Sequence, residues 1–351
     1  MARHRVLVIA TSRYTRGGIT SVINAHEQGK QWDEYGCKWI ETVRDGNAFI
    51  KILYFIKALG QFLMLLYGAK ILHVHSALGT SIKRKNIFIT IGKIFNKKVI
   101  IHFHAAEKSM LNNPDKNIIY SKIFKKADKI IVLSDSWKKL LVSKLSLDKD
   151  RIITIYNPAP LVERSFIKKN IVLFAGTLIK RKGYDTLIKA FSTICQRSEV
   201  NDWYLVMAGN GEVDEAKELI SDLGISDRVT LVGWVTGKVK EDLFREASIF
   251  CLPSQAEGFP MAILDAWAYG IPCIMTPVGG IPELVTDEVD GIIVPVNNYL
   301  KLADALLMLM KSKDIRDKIV KNTDKRISSD FNINILNSQI GNIYQDLIEG
   351  K

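Results

Sequence analysis

The chain has 351 residues, 47% of them apolar, and 49 Lys and Arg against 37 Asp and Glu, enough material for two domains of ordinary size, each with its own core. Four cysteines without a CxxC pair argue for a reducing compartment. Cys195, Cys251 and Cys273 stand in apolar runs as buried thiols, which excludes a disulfide framework and a thiolate metal centre. The net charge of +12 is uneven: residues 1–165 hold 28 cations against 12 acids, a balance of +16, and the remainder 21 against 25, a balance of −4. Such asymmetry fits an extended anionic partner for the first half, a membrane surface or a nucleic acid.

Residues 1–5 lead straight into a core-like strand, Val6–Ala10, without the pattern of a signal peptide, so the expected site of work is the cytoplasm. The loop Thr15-Arg16-Gly17-Gly18 follows, and a helix begins near Ile19. A strand, a glycine loop and a helix start offer backbone amides to an anion; the spacing is not GxGxxG, which weighs against a dinucleotide site. Residues 49–68 form the most apolar segment, interrupted by Lys51, Lys57 and Gln61. It reads as a packed helix of the first domain with part of its surface open to lipid.

Residues 81–98 set six cations among Ile87, Phe88, Ile91, Ile94 and Phe95 with no acid, and Lys122, Lys125, Lys126 and Lys129 make a second run. Both suit an anionic lipid surface. Nucleic-acid binding calls for aromatic platforms among the cations or a known motif, and the chain has neither. All six histidines lie in the first 104 residues, and four form strand-end pairs, His73 with His75 and His102 with His104. Alternation puts both members of a pair on one face, and strand ends in an open α/β sheet point at the ligand crevice. No acid or thiol completes a metal-ligand set, so no metal is assigned, and His73 and His75 read as structural.

Asn157-Pro158 breaks the pattern, residues 160–169 form a linker, and Ile171–Ala175 opens a second domain. The loop from Gly176, with Thr177 and Leu178, to Gly183 carries Lys180, Arg181 and Lys182. Fixed cations there stabilise a departing diphosphate without a metal. Strand and glycine turn recur at residues 204–211 and 229–234.

Ile249–Leu252 is a further strand, Gly258 a turn, and Pro260 with Met261 opens a helix whose Ile263, Leu264, Trp267 and Ala268 recur at helical spacing. Its free amides suit phosphate, while Glu257 before it and Asp265 within it suit sugar hydroxyls. A nucleotide sugar carries both groups. Beyond Asn298 come two helices and an amphipathic segment, residues 333–348.

Glu257, the Gly258-Phe259-Pro260 turn and Asp265 resemble the donor-binding signature of family 4 retaining glycosyltransferases, where a second Glu stands at the position of Asp265. Gly279-Gly280-Ile281-Pro282-Glu283 resembles that family's next loop, and Gly176-Thr177-Leu178 with Lys182-Gly183 its phosphate loop. The likeness covers nearly the whole chain. It implies two doubly wound Rossmann-like α/β domains facing across a cleft, the GT-B fold: residues 1–160 for the acceptor, residues 161–329 for the nucleotide sugar, and residues 330–351 crossing back to the first domain.

It also implies roles. Gly17 and Gly18 lie beneath the donor diphosphate, and His104 contacts the donor sugar near the reacting centre. Lys182 and Arg181 hold the diphosphate, supported by the turn from Gly258 through Phe259 and Pro260 to Met261. Glu257 binds the sugar hydroxyls and Asp265 the ribose. Thr177 stands where the family usually has Arg, which removes one phosphate contact, and Asp265 is one methylene shorter than the family Glu. The expected function is retaining, metal-independent transfer from a nucleotide sugar, a UDP-sugar favoured, to a hydroxyl acceptor such as a lipid-linked glycan of a surface polysaccharide, on the inner face of the membrane. Two alternatives stay open: a non-catalytic nucleotide-sugar-binding partner subunit, and an epimerase or phosphorylase on the same scaffold.

Overall fold

The computed structural model describes residues 5–15, 17–104, 108–165, 167–258 and 260–350. The chain divides into two compact units, Met1–Pro158 with Phe331–Lys351, and Ala159–Asp330. Each holds a six-stranded, all-parallel sheet.

The strands of the first unit are β1 (Val6–Ala10), β2 (Lys38–Glu41), β3 (Ile71–Ser76), β4 (Lys98–Phe103), β5 (Lys129–Val132) and β6 (Ile152–Thr154), in the order β2-β1-β3-β4-β5-β6. Continuous apolar runs suit strands covered on both faces. The period of two then sorts each strand. Leu7, Ile9, Leu72, Val74, Val99 and Ile101 enter one core with Phe62, Phe88 and Trp137. Val6, Val8, Ile71 and Ile100 enter the other, beneath Leu336, Ile340, Tyr344 and Leu347 of the helix Ile333–Glu349.

Two helices of this unit sharpen the sequence reading, and the second corrects it. The helix Ala48–Leu66 buries only Ala58, Phe62 and Leu66, a stripe at i, i+4, i+8, while Phe49, Ile52, Leu53, Ile56, Leu63 and Met64 are exposed. Apart from Lys51, Lys57 and Gln61 it is apolar around its circumference, so its sequence does not mark which face the sheet takes. The basic segment forms the helix Thr80–Ile94, with Lys98 already in β4. Lys85 is fully buried there, not solvated, because it falls on the same stripe as Ile82, Phe88 and Ile89. Its ammonium donates to the His75 carbonyl and, at 3.2 Å, to Ser81 Oγ.

The second unit contains β7 (Ile171–Ala175), β8 (Tyr204–Ala208), β9 (Val229–Gly233), β10 (Ile249–Leu252), β11 (Cys273–Met275) and β12 (Ile292–Ile293), in the order β12-β11-β10-β7-β8-β9. The chain winds outward from β7 through β8 to β9, then returns to the other side of β7 with β10. This reversal lies between β7 and β10; in the first unit it lies between β1 and β3. All four cysteines are buried thiols.

Candidate active site

Ligands of open parallel sheets bind outside the carboxyl ends of the strands, where the winding reverses. In the second unit the loops after β7 and β10 emerge at that point and are joined by close backbone approaches. Gly183 has φ +71°, and a Cβ there would lie 2.1 Å from the Pro253 carbonyl oxygen. Gly279 has φ +62°, and its Cβ would lie 1.8 Å from the carbonyl oxygen of Glu257. Only glycine admits both the backbone angle and the contact. The Gly280 amide then donates to the Gly258 carbonyl at 2.7 Å, which fixes the Glu257 loop from its far side.

The side chains meet inside this frame. Lys182 Nζ lies 2.5 Å from Glu257 Oε1, which also accepts from Ser254 Oγ at 2.7 Å. Glu257 is 5% exposed and the Lys182 side chain 18%, so the pair is largely withdrawn from water and its attraction is little screened. Arg181 ties the same loops together: its guanidinium donates to the Ala256 carbonyl at 2.7 Å, and its own carbonyl accepts from the Gln255 amide at 2.7 Å. Thr276 Oγ1 donates to the Ser254 carbonyl.

Other residues singled out in the sequence sit around this centre. Thr177 lies in the β7 loop, its carbonyl accepting from the Ile179 amide at 3.0 Å and its methyl close to Gly211. Pro260 is buried, Met261 begins the helix Met261–Ala268, and among the described residues no side chain caps that helix start. Phe259 lies outside the described residues. Asp265 is held separately, by Lys240 at 2.5 Å. Sequence reasoning missed Ser254 and Lys240. No spacing rule connects Lys240 to an acid 25 positions later, and Ser254 is one of many serines.

In the first unit the loop after β1 holds Gly17, with φ +140° and open space where a Cβ would stand, and Gly18, the first residue of the helix Gly18–Glu27. Arg16 lies outside the described residues. His104 follows β4, its amide donating to the Ser76 carbonyl at 2.8 Å and its Nε2 3.0 Å from His75 Nδ1. Burial, with the charges of Lys85 and His26 behind it, pushes the His104 ring down to about 3. It therefore works as a neutral imidazole. Burial likewise pushes Lys85 down to about 7 and His26 to about 4, and holds His73, His75 and His102 well below the ordinary value.

Comparison with known proteins decides the family. Two family models tile the chain: Glycosyltransferase Family 4 matches residues 2–162 and Glycosyl transferases group 1 matches residues 162–326. The chain belongs to glycosyltransferase family 4. This family 4 chain is 27% identical over 238 residues to the uncharacterized glycosyltransferase MJ1607 of Methanocaldococcus jannaschii, a match covering 63% of this chain and 60% of that one. It thus spans less than two thirds of that relative. It is 26% identical over 285 residues to the UDP-Gal:alpha-D-GlcNAc-diphosphoundecaprenol alpha-1,3-galactosyltransferase of Escherichia coli, covering 79% and 69%. Among solved structures, Anabaena HepE in complex with UDP-glucose superposes with a TM-score of 0.80 at 16% identity, over 98% of this chain and 100% of that one. This family 4 chain therefore shares the GT-B fold, two Rossmann-like α/β domains.

Proposed function

We propose that the chain transfers a sugar from a nucleotide donor, a UDP-sugar by preference, to a hydroxyl acceptor with retention of anomeric configuration. The observation that carries this reading is the Lys182–Glu257 pair, braced by Ser254 and Arg181 at the winding reversal of the second unit. A departing diphosphate gains negative charge. Lys182 and Arg181 supply fixed positive charge against it, without a metal in the reaction, and the turn from Gly258 through Pro260 to Met261 adds backbone donors. Binding draws Lys182 toward phosphate and releases Glu257 to accept from sugar hydroxyls. Asp265, one turn further along its helix, serves the ribose; within the first unit, the groups suited to a sugar and a diphosphate are neutral His104 and the Gly17-Gly18 loop.

The acceptor we propose is a lipid-linked glycan of a surface polysaccharide, reached from the cytoplasmic face of the membrane. The diphosphoundecaprenol in the name of the Escherichia coli relative supports it, and so does the exposed apolar face of the helix Ala48–Leu66. That helix has the length and composition to cross a membrane, but its Ala58–Phe62–Leu66 stripe is anchored in the core of the first unit. It lies on the bilayer surface, with the lysines of the first half against anionic headgroups.

Purified protein incubated with UDP-, GDP- and ADP-sugars and a panel of lipid-linked acceptors tests the reading. A glycosylated acceptor whose linkage keeps the donor's anomeric configuration is the expected product. Donor binding without turnover on every acceptor favours the non-catalytic subunit, and an inverted linkage removes the retaining mechanism.

A further inference from the structure

Sugar transfer as proposed uses His104 but none of the four imidazoles behind it, His26, His73, His75 and His102. His75 on β3 pairs with His102 on β4, so strand alternation sets His73, His75 and His102 on one face of the sheet, and the helix Gly18–Glu27 brings His26 against it. Ring centroids are 4.4 Å apart for His73 and His75, 4.6 Å for His75 and His102, and 6.0 Å for His26 and His102. One ligand nitrogen from each of His73, His75 and His102 lies within 4.8 Å of the other two.

The hydrogen bonds engage one nitrogen of His26 and one of His73. His26 Nδ1 faces the amide oxygen of Asn337 at 2.7 Å, so that nitrogen carries the proton and Nε2 presents a lone pair. His73 Nδ1 lies 2.6 Å from the Tyr344 hydroxyl. His26 Nε2, His73 Nε2 and both nitrogens of His102 are buried and have no hydrogen-bond partner among the described residues. A buried polar atom without a partner is uncommon in a folded protein, and four within one cluster point to a shared occupant.

We propose that this cluster binds one divalent transition-metal ion of the zinc class, with His73, His75 and His102 as ligands. Neutral imidazoles with no carboxylate among them select such an ion over calcium or magnesium, which require oxygen. Bonds of about 2.0–2.1 Å hold ligand nitrogens roughly 3.3 Å apart in a tetrahedral site, so the three rings swing inward on binding. The outer partners belong to the pattern of metal-ligating histidines, whose second nitrogen is hydrogen-bonded and oriented. Tyr344, which orients His73, and Asn337, which holds the neighbouring His26, come from the helix Ile333–Glu349, so the ion fastens that helix to the sheet. The centre is structural, and its ligand His75 also meets His104 through Nδ1 at 3.0 Å.

The test uses tag-free, full-length protein stripped with chelator and titrated with Co²⁺. One equivalent is expected to bind, with visible d–d absorption that Zn²⁺ abolishes, and Zn²⁺ alone is expected to raise the melting temperature. His102→Gln should eliminate the absorption. If circular dichroism shows that this variant does not fold, Tyr344→Phe decides: it keeps the ring and loses only the hydroxyl, and should weaken metal affinity about 10- to 100-fold. Folded wild-type protein that binds no Co²⁺ overturns the proposal, as does Co²⁺ binding that neither variant alters. In the first case the unpartnered nitrogens are satisfied by water.

Discussion

Glu257 is at once a buried ion-pair partner and the proposed sugar ligand, and the two jobs give different signatures. Removing one member of a buried pair strands the other charge, at about 3–5 kcal/mol. Lys182→Met should therefore destabilise the protein by about that much, because the carboxylate 2.5 Å from its ammonium keeps, among the described residues, only the Ser254 hydroxyl. Glu257→Gln should cost less, since Lys182 keeps partial exposure and an amide oxygen as partner. The double variant should recover most of the stability in urea denaturation, while sugar transfer stays lost in all three. A double variant that recovers both stability and transfer removes the pair from the chemistry. Lys182 and Glu257 were legible in the sequence because each stands beside a glycine that ends a strand loop. Their contact with each other was not, since Gly183 on Pro253 and Gly279 on Glu257 set it across 75 residues of chain.

At the level of elements, legibility followed length and pattern. β7 and β10 emerge from the sequence with the bounds the fold gives them, because each is a continuous apolar run ended by Gly176 or Pro253. β11 and β12 do not, since three residues between Pro272 and Thr276 and two at Ile292–Ile293 are too short for any period to register. The helix Ala48–Leu66 shows the opposite failure. Apolar residues lie on every face, and only the fold separates the buried stripe from the exposed one. That separation makes a prediction with two arms. Phe62→Ala, fully buried against Phe88, should cost about 3–5 kcal/mol of stability and leave vesicle affinity in the folded fraction unchanged. Ile56→Glu, 61% exposed, should leave urea stability within about 0.5 kcal/mol and reduce co-sedimentation with vesicles containing phosphatidylserine. If Ile56→Glu sediments like wild type, the exposed face is not a lipid contact.

For the whole molecule, net charge and local charge point to different ligands. The first 165 residues carry +16 and the remainder −4, yet the proposed diphosphate site lies in the second, net-negative part. A summed charge steers the molecule toward an extended anionic surface, while a nucleotide is held by a few cations fixed at one place. The two attractions should respond differently to salt. Charges on exposed side chains are screened once their separation from the partner exceeds the Debye length, about 8 Å at 0.15 M and about 3 Å at 1 M. Lys182, by contrast, is mostly withdrawn from water and braced by Arg181 and the glycine-bound loops, so ions penetrate its surroundings poorly. Raising NaCl from about 0.05 M to about 0.5 M should therefore release the protein from anionic vesicles, while UDP continues to raise its melting temperature by an amount set by RT ln(1 + [L]/Kd). Gly279→Ala, which forces a Cβ into the Glu257 carbonyl, should abolish the UDP shift and leave vesicle binding as it was. Both attractions weakening in parallel with salt would mean that the nucleotide is held by exposed cations, and Lys182 would then not be its anchor.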